Sequence, residues 1–142
     1  MVLMLWLCYR AGWVWRKSLI YQLLPYLFET EDSNIVIVVS PLNSIIEDQI
    51  KILVERGISV SVLPITGKTE RAHIKLFTED SELIKTEKEP FSSCITGGDI
   101  SILFAHPEAL LGKNGQTLLK SSVYQRRVVA CVIDEVHCVE KW

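Results

Sequence analysis

The chain has 142 residues, enough for one domain, with 49% apolar and 23% charged side chains, a composition that supports a globular core and argues against disorder. Net charge is -2, so no global basic field draws in nucleic acid, and any nucleic-acid site must be a local groove. The four cysteines, Cys8, Cys94, Cys131 and Cys138, show no C-x-x-C spacing. That argues against a disulfide framework or a zinc site and for an intracellular, reducing compartment.

Met1 to Tyr9 is apolar but too short to span a bilayer, and it lacks the basic start of a signal peptide. Residues 1–16 hold three of the four tryptophans, both methionines and no acid, unlike the rest of the chain. Lys17 to Glu29 has helical spacing in Leu19, Ile20, Leu23, Leu24, Leu27 and Phe28, with Pro25 placed to kink it. Ile35 to Val39 is a continuous β-branched run, which predicts a strand buried on both faces and stopped at Pro41. A helix follows. Ser44 and Glu47 are spaced as a capping box, Ile46, Ile50, Leu53 and Val54 form one apolar face, and Gly57 ends it. Ser59 to Leu63 reads as a strand, residues 69–86 as a weak helix, and Glu87 to Gly98 as a polar loop or insertion. Ile100 to Phe104 is a strand, and Pro107 to Leu111 opens a short helix with proline in its first turn. Val128 to Ile133 is the last strand, running into Asp134-Glu135-Val136-His137. Strands alternating with helices predict an α/β fold with a mostly parallel sheet and crossover helices.

Ligands of open α/β sheets bind at the carboxyl ends of the strands. Three polar clusters fall there: Ser40-Pro41-Leu42-Asn43, Ala105-His106-Pro107-Glu108 and Asp134-Glu135-Val136-His137. A fourth, Arg16-Lys17-Ser18, opens the first helix. Lys-Ser at a helix N-terminus suits a phosphate, with amides and lysine on the oxygens and the hydroxyl on magnesium. Adjacent acids after a buried strand suit a magnesium carboxylate and a water-orienting carboxylate. Each cluster also has a plain reading. Lys-Ser is a common solvated helix start, Asp-Glu a polar turn, and Ser-Pro-Leu a strand terminator. His73 and His106 have no partner spacing and read as structural. His137 beside Cys138 cannot by itself set a tetrahedral metal geometry. Gly67-Lys68-Thr69 lacks a two-glycine frame and reads as a surface turn.

The order of the signals is more specific than any one of them. Lys17-Ser18-Leu19-Ile20-Tyr21-Gln22-Leu23-Leu24-Pro25, then Ser40-Pro41-Leu42 with Asp48-Gln49, then His106-Pro107-Glu108, then Asp134-Glu135-Val136-His137-Cys138 with Trp142, resembles the RecQ-like DNA helicases of the DEAD/DEAH type over residues 17 to 142. The resemblance implies a RecA-like P-loop NTPase lobe, incomplete here, in an ATP- and magnesium-dependent enzyme moving 3′ to 5′ on single-stranded or forked DNA. It implies no membrane association and a nuclear location. Carried over by position, Lys17 would contact the β/γ-phosphates, and Ser18 and Asp134 the magnesium ion. Glu135 would orient the attacking water and His137 would couple nucleotide state to DNA. Ser40, Pro41, Leu42, His106, Pro107 and Glu108 would line the path of the DNA strand. Trp142 would sense DNA by stacking.

The sequence departs from that pattern before Lys17. The family's Thr-Gly-x-Gly is replaced by Trp13-Val14-Trp15-Arg16. Glycines there supply unusual backbone angles and close amide approach, which larger residues resist at about 1–3 kcal/mol each. Poor ATP binding is therefore expected. Residues 1–16 form an atypical N-terminal segment, consistent with an exon or reading-frame error, ahead of a partial helicase domain at 17–142. No adenine-reading glutamine motif, third motif, second RecA-like lobe or arginine finger is evident, and an apolar sheet face or edge is expected to lie uncovered. Two other readings stand beside the helicase: a non-catalytic relative that at most binds DNA or a partner, and an unrelated P-loop-like protein, which the Ser-Pro-Leu and His-Cys signals disfavour.

Overall fold

The computed structural model describes residues 3–6, 14–28, 33–41, 43–63 and 93–134. Their elements are β1 (Leu3–Trp6), α1 (Val14–Leu27), β2 (Ile35–Val39), α2 (Asn43–Glu55), β3 (Val60–Leu63), α3 (Ser93–Gly97), β4 (Ile102–Ala105), α4 (Pro107–Leu111), α5 (Lys113–Lys120), α6 (Ser122–Arg127) and β5 (Val128–Ile133). The five strands form one sheet in the order β1-β5-β2-β4-β3, every pair parallel.

Strand β2 is the centre, and its sequence explains why. All five of its residues are buried, as a parallel strand covered on both faces requires. Val36 and Val38 pack with Tyr21 and Leu24 of α1 and Ile46 and Leu53 of α2. Ile35, Ile37 and Val39 pack with Ile95 of α3, Ala109 of α4, Leu118 of α5 and Tyr124 of α6. The period-2 alternation of side chains thus splits one apolar run between two half-cores, each buried valine or isoleucine contributing roughly 1.5–3 kcal/mol. Between Ile35↔Val128 and Val36↔Ala130 the register slips. This leaves Val129 as an extra residue on β5, and it shares the α1/α2 half-core with Ala130.

Helix α2 ends as expected. Gly57 has φ +69°, its N–H donates to Val54 O at 2.9 Å, and the Ile58 N–H donates to Leu53 O at 3.0 Å. That pairing is a Schellman closure, which needs a left-handed residue that glycine adopts without strain. The other end differs from expectation. α2 already includes Asn43, so Ser44 lies inside the first turn and is not the cap of a capping box.

Four further elements depart from the sequence reading. β1 is an edge strand paired to β5, drawn from a segment assigned no strand. The polar stretch before Ile100 contains the helical turn α3, held because Ile95 is fully buried and its carbonyl accepts from the Tyr124 hydroxyl at 2.8 Å. That burial also holds the Tyr124 phenol well above its ordinary pKa. Helices α5 and α6 went unanticipated, since each is eight residues or shorter, too few turns for spacing to mark a helix. The weak helix at 69–86 and the Gly67-Lys68-Thr69 turn lie outside the described residues.

Helix α1 forms where its spacing predicts, yet it buries another face. Tyr21, Gln22, Leu24 and Pro25 are buried, whereas Leu19, Ile20, Leu23, Leu27 and Phe28 are 37–68% exposed. Among the described residues, the exposed apolar side chains therefore concentrate on this helix, while helices cover both faces of the central strands. Among the described residues, no helix is long and apolar enough to cross a membrane.

The helix runs through Pro25 to Leu27 and is closed by a distant residue. The buried Asn34 amide donates to Pro25 O at 2.9 Å and Phe28 O at 2.8 Å. Asn34→Ala strips both carbonyls of their donor. Thermal or urea unfolding should show a loss of about 2 kcal/mol, and an unchanged midpoint would refute that capping role.

Candidate functional site

The parallel register brings three of the polar clusters to one rim. Val39 of β2 is level with Ala105 of β4 on one side and Ile133 of β5 on the other. The next residues, Ser40, His106 and Asp134, therefore emerge side by side at the carboxyl ends of adjacent strands. Main-chain bonds carry the seam past the strands: Asp134 N–H donates to Val39 O at 2.9 Å, and Ser40 N–H to Ala105 O at 3.1 Å. A side chain extends it further, with His106 Nε2 donating to Pro41 O at 2.8 Å.

Burial sorts the members. Ser40 is 1% exposed and Asp134 8%. Pro107 is buried in the α4 turn, while Glu108 is exposed in its first turn, where a carboxylate favours the helix N-terminus. Ser40 Oγ and His106 Nδ1 are buried and have no hydrogen-bond partner among the described residues. Such atoms are rare in folded proteins and ask for an explanation.

Helix α1 packs on β2 and β5, which brings its buried face to the same rim. Burial first, and the Asp134 carboxylate second, hold the Tyr21 phenol far above its ordinary pKa. Tyr21 thus stays protonated and donates to Gln49 Oε1 at 3.0 Å. Its ring meets Phe104 edge-on, with centroids 6.1 Å apart. Gln22 accepts from Arg56. The Tyr-Gln of α1 and the Gln49 of α2, noticed first as parts of motifs, therefore tie these two helices together. Tyr21 is the neighbour of Asp134 that the sequence reading passed over. Its position one helical turn beyond Lys17 was the available signal.

Lys17 and Ser18 belong to α1, and Ser18 is 8% exposed. The helix starts at Val14, so Lys17 is its fourth residue. A helix leaves only its leading amides free. The amides of Lys17 and Ser18 fall beyond them, within the intrahelical ladder. A phosphate cradle requires those amides in a glycine-bearing loop at the helix start. The described backbone therefore does not fit a nucleotide triphosphate at Lys17-Ser18. Nor do the described residues contain a group of three metal-ligating side chains; of the positions assigned to magnesium, Asp134 is the carboxylate among them. Leu42, Glu135, His137 and Trp142 lie outside the described residues.

No family model matches the chain. Its sequence is 29% identical over 130 residues to ATP-dependent DNA helicase hus2/rqh1 of Schizosaccharomyces pombe, covering 89% of this chain and 8% of that protein. It is 31% identical over 126 residues to human ATP-dependent DNA helicase Q4, covering 89% of this chain and 9% of the relative. To RecQ-like DNA helicase BLM of Xenopus laevis it is 31% identical over 128 residues, covering 89% and 8%. The chain thus spans about a tenth of the length of these relatives. The all-parallel sheet with helices on both faces is the arrangement expected of part of a RecA-like lobe, and the polar clusters occur in the order of helicase motifs. Over 89% of its length the chain is thus similar to a short stretch of the RecQ-like DNA helicases.

Proposed function

We propose that this chain is a first-lobe segment of an ATP-dependent 3′-to-5′ DNA helicase, and that alone it binds single-stranded or forked DNA without hydrolysing ATP. The start of α1 at Val14 carries the second half of that reading, because it withdraws the amides that would hold the phosphates. In the whole protein, a second RecA-like lobe and a nucleus are the expected partner and place. Lys17, Ser18, Asp134, Glu135 and His137 stand at the family's nucleotide and coupling positions. Here they are remnants of a site whose loop has been replaced.

The DNA reading rests on the rim. Ser40, Pro41 and His106 converge at the carboxyl ends of β2 and β4, where open sheets take ligands. Leu42, Pro107 and Glu108 adjoin them in sequence, and Trp142 would add stacking. With a net charge of -2, binding is local and weak, with Kd on the order of 10–100 μM at moderate salt. Fluorescence anisotropy with a labelled single-stranded oligonucleotide should show that binding. A coupled assay should show no ATP turnover in this chain or in Glu135→Gln. DNA-stimulated turnover that disappears in Glu135→Gln would replace this reading with an active ATPase.

A further inference from the structure

His106 breaks two local rules at once. It holds the N-cap position of α4 in an extended conformation, φ -72° and ψ 144°, yet its side chain makes no cap bond. Serine, threonine, asparagine or aspartate there would satisfy the helix better. Its ring also buries Nδ1 without a partner among the described residues, which costs stability. A histidine kept for stability alone accounts for neither fact, and rule-breaking of this kind concentrates at functional positions.

The chemistry of the two flanking prolines shows what the ring does. Pro41 follows β2 by two residues and Pro107 follows β4 by two, and neither has an N–H to give to a ladder. The main-chain seam between β2 and β4 therefore stops at the Ser40 N–H bond to Ala105 O. Beyond it, the His106 ring reaches the Pro41 carbonyl at 2.8 Å. A carbonyl oxygen only accepts, so Nε2 carries the hydrogen. The ring thus adds a side-chain bond where the main-chain seam has ended.

We infer that His106 is a positioning residue. By holding the Pro41 carbonyl, it locks the chain leaving β2 against the chain entering α4, so that both segments offer one surface to a nucleic-acid strand. This role rests on the DNA reading above, and it acts through Ser40-Pro41.

Two variants test it in the 142-residue chain. His106→Ala removes the donor, and His106→Gln keeps an amide N–H at similar reach. The alanine variant should bind a single-stranded oligonucleotide about fivefold more weakly, the worth of one hydrogen bond, and glutamine should restore affinity to within about twofold of the parent. Amide exchange over residues 40–44 should accelerate in alanine and return to the parent rate in glutamine. A merely structural histidine would lower the melting temperature of both variants and leave the affinity of the folded protein unchanged. Unchanged affinity in His106→Ala, or no rescue by glutamine, overturns the inference. If the parent itself binds no oligonucleotide, the DNA reading fails and the positioning role with it, while the exchange rates still report whether the lock exists.

Discussion

Gly115→Ala is expected to lower the melting temperature of this chain by about 7 °C, a loss as large as that of Asn34→Ala. Gly115 is buried in α5. A Cβ added there would lie 2.4 Å from the carbonyl oxygens of both Ala109 and Leu110. These are main-chain atoms of α4, so no rotamer change relieves the clash. α4 and α5 must move apart, and α4 carries Ala109 in the core and His106 at the rim. Alanine is a better helix former than glycine by about 1 kcal/mol, but overpacking against fixed backbone costs about 3 kcal/mol. The clash wins. Circular dichroism melting would show it, and a variant melting at or above the parent's temperature would mean that the α4–α5 contact is looser than described. Because α4 follows directly from β4, the same variant should also exchange faster at the rim.

The triple variant Trp13→Thr, Val14→Gly, Arg16→Gly should raise Mg-ATP affinity at least tenfold, from undetectable to measurable by isothermal titration. The argument concerns where a helix begins. Val14, Trp15 and Arg16 are helical in this chain, and their presence places Lys17 and Ser18 inside the ladder. Two glycines in place of valine and arginine penalise that first turn by roughly 1 kcal/mol together. They also permit the backbone angles of an anion-binding loop. The helix would then start near Lys17, and its leading amides would become available for phosphate. A gain of tenfold corresponds to about 1.4 kcal/mol, well below what several charge-assisted amide bonds supply. Titration of a folded triple variant with no gain over the parent would show that Lys17-Ser18 is an ordinary helix segment and not the remnant of a phosphate loop.

The elements legible in the sequence were those with strong, uninterrupted patterns. β2 is a β-branched run buried throughout, and β5 an apolar run buried at Val129, Ala130 and Val132. α2 has one clean apolar face and a glycine stop, and α4 opens on a proline at its first turn. For α1, spacing predicted the helix but not its orientation. Its apolar residues surround the axis, so no single face was specified, and Tyr21 and Gln22 went inward because Gln49 of α2 and Arg56 just after it offer them partners. Short elements such as α3, α5 and α6 carry too few residues for periodicity. They exist because β-sheet side chains below them need covering, with Ile95, Leu118 and Tyr124 as the anchors. β1 is a strand because β5 offers it an unpaired edge, a reason that lies outside its own residues.

Motif order and the alternation of strand and helix are written in local chemistry: β-branched runs, proline and glycine stops, and an acid after a buried strand. What the motifs can do together depends on the fold. Parallel register sets Ser40, His106 and Asp134 at one level, and no one-dimensional pattern encodes that. The fold also fixed the first turn of α1 at Val14, so the lysine and serine that look like a phosphate site have their amides committed to the helix. Hydrogen bonds between residues distant in sequence, such as His106 to the Pro41 carbonyl, form only once packing has closed the loop between them.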